Sequence, residues 1–133
     1  RCESEECGEL MSYLQRAGQI ANLNKETSKA KKYARQILDA DPNSGDGYLI
    51  LADAWSNSNC KDEKFGRACS YWVAYDYYAK AKRVDPSVAE KANKSMNSVR
   101  KGWPVKRTVF QQGVEVGTSY NCCGVTTTVR TSD

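Results

Sequence analysis

Ala30-Lys31-Lys32-Tyr33-Ala34-Arg35-Gln36-Ile37-Leu38-Asp39-Ala40-Asp41-Pro42 is answered further along by Ala74-Tyr75-Asp76-Tyr77-Tyr78-Ala79-Lys80-Ala81-Lys82-Arg83-Val84-Asp85-Pro86. Each stretch opens on Ala and closes on Asp-Pro. Ala30, Ala34 and Ile37 in the first, and Ala74, Tyr78 and Ala81 in the second, share one helical face. A single copy of such a unit cannot bury its apolar face, whereas stacked copies can. The repeat therefore predicts a stacked helical architecture. It also shifts expectation from catalysis toward a binding surface.

Working outward, each stretch has a helical pattern ahead of it. Leu14, Ala17, Gly18 and Ala21 precede the first, and Tyr48, Leu51, Ala52 and Trp55 precede the second. This scheme resembles the tetratricopeptide repeat (TPR), an antiparallel helix pair with a period of about 34 residues. Its physics is close packing. Gly18 and Ala52 are the small partners that let two helices cross. Tyr48, Trp55 and Tyr78 are the large ones, each able to bury roughly 150–250 Å². These aromatics read as core rather than as a cofactor box. The resemblance implies a mainly α fold, a right-handed superhelix of about two repeats. Repeat 1 spans about 11–44 and repeat 2 about 45–88.

Pro42 and Pro86 lie 44 positions apart, so repeat 2 carries roughly ten extra residues relative to the usual period. Residues 57–68, rich in Asn, Ser, Asp and Gly, are the predicted insertion. Thr27 or Ser28 is a candidate cap for the helix that follows. Ser87 with Glu90 has capping-box spacing and predicts a capping helix over 88–101, with Ala89, Ala92, Met96 and Val99 on one face. Lys101-Gly102-Trp103-Pro104 stops it. The helical repeat domain thus covers 1–103 and a tail covers 104–133. In the tail, 105–112 reads as a short helix. The β-branched runs 113–120 and 124–130 read as two short strands of a hairpin-like element, which must pack on the helices because an isolated hairpin is marginal in water.

A narrower resemblance rests on the run Tyr71-Trp72-Val73-Ala74-Tyr75-Asp76, the run Val84-Asp85-Pro86-Ser87-Val88-Ala89, and a tail with Phe110, Gly113, Ser119-Tyr120, Cys122-Cys123 and Thr127-Thr128-Val129-Arg130. These elements resemble the C-terminal TPR region of a group of bacterial cell-envelope proteins, over roughly residues 45–130. Six cysteines fit an oxidising compartment. Taken alone they leave several pairings open: Cys2 with Cys7 if the start is not helical, or Cys60 with Cys69 across the insertion. The resemblance implies instead that Cys60 joins Cys122 or Cys123, with Cys69 taking the other tail cysteine. It implies a secreted or periplasmic location and a role as subunit or domain of an envelope assembly.

Zinc is disfavoured, since the chain has no His and Cys60 and Cys69 are too far apart for the common knuckle. No Cys-x-x-Cys redox motif is present. Without His, Ser-His and Cys-His nucleophile pairs are impossible within this chain. Glu3, Glu5, Glu6 and Glu9 read as an acidic helix start, and Gly45-Asp46-Gly47 as a turn rather than a phosphate loop. No enzyme, cofactor or metal is expected. The net charge of +4 is modest, and the bases Lys29, Lys31, Lys32, Arg35, Lys80, Lys82 and Arg83 fall where a solvated outer face is expected, not a nucleic-acid site. No apolar run approaches the roughly 20 residues of a membrane span.

The TPR resemblance implies peptide or protein binding on a concave face. Matching positions are Ser12, Gln15, Gln19 and Asn22, then Asp46, Leu49 and Asp53, then Glu90, Asn93, Asn97 and Arg100. Gln15, Gln19, Asn22, Leu49, Asp53, Asn93 and Asn97 are the chosen candidates, since amides hydrogen-bond a peptide backbone without reading its sequence. The bases of a carboxylate clamp are missing, with Gln15, Leu49 and Glu90 in their places. The expected function is a non-enzymatic interaction or assembly module. The alternative is a structural cap on a longer repeat protein.

Overall fold

The computed structural model describes residues 4–133. Among these, the chain runs α1 (Glu5–Leu23), α2 (Thr27–Ala40), α3 (Gly45–Ser56), α4 (Ala68–Val84), a 3-10 turn (Pro86–Val88), α5 (Ala89–Arg100), α6 (Lys106–Gln111), β1 (Ser119–Cys122) and β2 (Val125–Thr128). The fold is mainly helical, with one small antiparallel sheet at the C-terminal end. Successive helices from α1 to α5 pack against one another, and α1 also reaches α3.

The apolar faces read from the repeat meet as the core. Ala30, Ala34 and Ile37 of α2 are buried, as are Leu51, Ala52 and Trp55 of α3 and Ala74, Tyr78 and Ala81 of α4. Leu14, Gly18 and Ala21 turn inward from α1. Tyr48 is only half-buried and stacks on Tyr77 at 6.3 Å. α4 packs on α3, on α5 and on both strands. Cys69, Ser70, Trp72 and Val73 in its first turns are sealed from solvent, which explains why that half of α4 lacks a polar face.

α1 starts at Glu5, within the stretch read as an acidic helix start, where the Ser4 side chain caps it by accepting the Cys7 N–H at 3.1 Å. Other local expectations change. Thr27 and Ser28 do not cap α2: Thr27 is its first residue and Glu26 precedes it without a side-chain cap. Ser87 does not form a capping box with Glu90. Asp85 takes that role, accepting from the Ser87 N–H at 3.1 Å and its hydroxyl at 2.6 Å. The stronger acceptor two residues earlier closes a 3-10 turn, so α5 begins at Ala89 rather than Val88.

The tail differs too. Residues 113–118 are not a strand, since Gly113 (φ 71°) and Gly117 (φ 89°) bend the chain into turns. The hairpin is shorter and later, pairing Ser119 with Thr128 and Cys122 with Val125. Its two-residue turn is Cys123-Gly124, both at positive φ, as the primed turn of a tight hairpin requires.

Small residues set the helix separations. A Cβ on Gly18 would sit 2.9 Å from Ile50 Cγ2, and one on Gly45 would sit 2.7 Å from Asp85 Cβ, while Gly8 has open space. Gly45→Ala is expected to lower stability by about 1–3 kcal/mol through overpacking. Gly8→Ala, exposed within α1, is expected to raise it by about 0.5–1 kcal/mol through helix propensity. Urea unfolding of the two variants checks the contrast.

Candidate functional site

α1, α3 and α5 border a groove of about 470 Å³. Gln19 and Asn22 come from α1, Asp46, Leu49 and Asp53 from α3, and Lys91 from α5. Asn22 is buried and oriented: its Nδ2 donates to the Ile50 carbonyl at 3.1 Å. Its Oδ1 is buried without a hydrogen-bond partner. An unpaired buried acceptor costs about 1–3 kcal/mol. Leu49, 5% exposed, supplies apolar floor.

Asp53 accepts the Tyr78 hydroxyl on its Oδ1. Burial pushes its carboxyl above the usual aspartate range, partly opposed by the Tyr78 bond and the charge of Lys91. Tyr78 is pushed up by burial and then by the neighbouring carboxylate. Because the folded state holds the Asp53 proton more tightly than the unfolded chain, stability falls as pH rises from the ordinary aspartate value to the raised one, then levels. Asp53→Asn is expected to remove that slope in urea midpoints taken across pH 4–7 (about the carboxylate window). Tyr78→Phe, which strips the donor from a buried carboxylate, is expected to cost about 1–3 kcal/mol at neutral pH.

Of the sequence-derived candidates, Gln19, Asn22, Leu49 and Asp53 line this groove. Gln15 shares a shallower depression with Ser12, Arg16 and Gln19. Asn93 and Asn97 are not among the groove residues, and Asn93 accepts from Lys82 Nζ at 2.7 Å instead. Lys91 takes their place. Among the bases expected on the outer face, Lys31 lies 3.8 Å from the Trp55 ring centroid and Lys80 5.2 Å from that of Tyr48. Both ammonium groups lie over aromatic rings.

A second constellation joins the insertion, α4 and the tail. Asp62 in the insertion accepts the backbone N–H groups of Lys64 and Phe65 and the Tyr120 hydroxyl on one oxygen. That turn aims Phe65 inward, where its ring meets Trp72 at 5.1 Å and Tyr120 at 5.4 Å. On α4, Asp76 accepts from Thr127 Oγ1 at 2.6 Å and pairs with Arg130. Trp72 Nε1 donates to the Arg130 carbonyl at 3.0 Å. The guanidinium also lies over Tyr75, whose ring is edge-on to Trp103. None of these links was visible in the sequence. The available signal was Asp76, an acid set inside an aromatic run and needing a partner. Asp76→Ala is expected to cost about 1–3 kcal/mol, because Arg130 and Thr127 lose their shared acceptor, and thermal melts of Asp76→Ala and Asp76→Asn check it.

Disulfides close the same unit. Cys60 pairs with Cys123 and Cys69 with Cys122, with Cα atoms 6.3 and 5.8 Å apart. Cys2 lies outside the described residues, as does its suggested link to Cys7. Cys7 itself sits inside α1. The sulfurs of Cys60, Cys122 and Cys123 lie within 4.8 Å of one another. Their cystines leave no thiolate to bind a metal. Two buried-side staples of this kind are compatible with an oxidising, extracytoplasmic setting. No described helix is long and apolar enough to cross a membrane. Comparison with known proteins found no matching family model, no matching curated protein and no matching solved structure.

Proposed function

We propose that this chain is a non-enzymatic interaction module, built on TPR-like helix-pair repeats, that holds an extended segment of a protein partner in the groove between α1, α3 and α5. The single observation that carries this reading is Asn22. Its amide nitrogen is fixed by Ile50, and its oxygen is buried in the groove wall without a donor. In the free protein that oxygen is closed to solvent, so binding has to turn Asn22 into the groove, where a peptide N–H is a suitable donor, since every residue of an extended chain except proline presents one. Around it the groove offers Gln19 for further backbone bonds, Leu49 for an apolar side chain, and both signs of charge in Asp46 and Lys91. Such a surface holds a strand of chain firmly while reading its sequence loosely. The internal repeat supports helix-pair stacking. The cystines support a secreted or periplasmic protein, and the likeness of its second repeat and tail to bacterial envelope proteins favours a place in an envelope assembly.

Short random peptides selected from a display library on the immobilised protein supply the probe. Asn22→Leu, which matches the side chain in size and removes the acceptor, is expected to weaken the selected peptides by about 5–30-fold, the worth of one buried hydrogen bond. Peptides that bind Asn22→Leu as tightly as the parent would refute the groove reading.

A further inference from the structure

The exposed large apolar side chains fall in two places. Leu10, Tyr13, Ile20 and Leu23 lie on α1, and Val105, Phe110 and Val116 lie in and around α6. Tyr13 is 62% exposed and Phe110 84%. On α1, Leu10, Tyr13, Ala17 and Ile20 follow the three-four spacing of a helix–helix seam. That seam is distinct from the face through which Leu14, Gly18 and Ala21 enter the core. The internal repeat shows what such a face does. Counting the repeat offset from Leu14 to Tyr48, the residues Tyr13 and Ile20 correspond to Gly47 and Ala54 of α3, both buried. Gly47 there lies against Ile37 and Leu38 of α2. The α1 face is therefore a packing surface of a kind already used once inside the molecule, and it is exposed among the described residues.

Charge distinguishes the two apolar regions. Exposed Glu5, Glu6 and Glu9 flank the start of the α1 stripe, with Arg16 beside its middle. Exposed Lys101, Lys106 and Arg107 flank the α6 region, with Glu115 beyond it and Asp133 bound to the Lys106 N–H. The α1 stripe is thus flanked mainly by acids and the α6 region mainly by bases. Two α1 stripes brought face to face would crowd their acids near their own kind or Arg16 against Arg16. We propose that copies of this chain associate head to tail, the acidic apolar stripe of α1 in one copy seating on the basic apolar end around α6 of the next. Such an interface is heterologous: each copy keeps one free end of each kind, so assembly continues beyond a dimer. The inference uses surfaces outside the groove and does not depend on it.

Sedimentation velocity on the whole chain tests it with two variants. Tyr13→Glu with Ile20→Glu closes the α1 end, and Phe110→Glu closes the α6 end. All three side chains are exposed, and matching thermal melts establish that both variants fold. The parent is expected to form species larger than a dimer as concentration rises, more readily at low salt because exposed charges are then less screened. Each variant alone is expected to be monomeric, and an equimolar mixture of the two to form a one-to-one dimer through the remaining intact pair of ends. A parent that stays monomeric at every concentration would overturn the proposal. So would a discrete parent dimer lost in the α1 variant but kept in Phe110→Glu, since that marks pairing of two α1 faces. A mixture that stays monomeric while the parent assembles would overturn it as well.

Discussion

Replacing Cys60, Cys69, Cys122 and Cys123 together is expected to cost far more than removing either disulfide alone. The two cystines share the adjacent residues Cys122 and Cys123 on the tail and join Cys60 and Cys69 on either side of the insertion's inner turn. With one cystine in place, the other closes only a ring of about ten residues, and its loss costs roughly 2–3 kcal/mol in the chain-entropy view. Once the last is gone, the long loop of some 50–60 residues opens, at roughly 4 kcal/mol more. Losses of that size rival the whole stability of many small domains, about 5–15 kcal/mol. Cys69 and Cys122 are sealed from solvent whereas Cys123 is exposed, so a mild reductant is expected to open Cys60–Cys123 first. Urea unfolding of Cys60→Ser with Cys123→Ser, of Cys69→Ala with Cys122→Ala, and of the fourfold variant measures the pattern. A fourfold loss no larger than the sum of the two single losses would contradict the nested arrangement.

Trp72→Ala carries the other large effect. Trp72 has no exposed surface, its ring contacts Phe65 edge-on and Tyr120 at 5.7 Å, and its indole N–H holds the Arg130 carbonyl. Removing a buried Trp typically costs about 3–5 kcal/mol. Here the loss falls where three segments distant in sequence meet, so the tail should loosen before the helices do. Limited proteolysis is expected to cut first within residues 111–118, while far-ultraviolet circular dichroism keeps most of the helical signal. Trp72→Phe keeps one aromatic ring but leaves a cavity and an unpaired Arg130 carbonyl, and should lose about 2–3 kcal/mol, less than Trp72→Ala. Phe110→Ala, at an exposed site, should leave stability nearly unchanged. If Trp72→Ala melted helices and tail together, the tail would be an integral part of the repeat core and not a clasped addition.

The helices were legible because Ala30, Ala34 and Ile37, and again Ala74, Tyr78 and Ala81, repeat a three-four spacing that only a helix turns into one face. The insertion was legible because its Asn, Ser, Asp and Gly residues interrupt that spacing between Trp55 and Ala68. Helix starts were less so. Asp85 and Ser87 are both good caps, and which one wins depends on whether the chain after Pro86 begins as a 3-10 or an α turn. That choice moved the start of α5 from Val88 to Ala89. The tail was least legible. Its β-branched residues announce strands, but Gly113 and Gly117 place turns where valines alone would continue one. Its anchors, Asp76 with Arg130 and Asp62 with Tyr120, join residues more than fifty positions apart, and no local pattern reports such pairs.

The most direct test of the groove is a ¹⁵N-resolved titration of the protein with a peptide selected for binding, followed at the Asn22 side-chain amide and at the backbone amides of α1, α3 and α5. The expected result is that shifts concentrate at Gln19, Asn22, Leu49, Asp53 and Lys91, with the Asn22 amide among the largest. Shifts confined to the outer stripe of α1, or to the tail around Tyr120 and Arg130, would contradict the groove as the binding site.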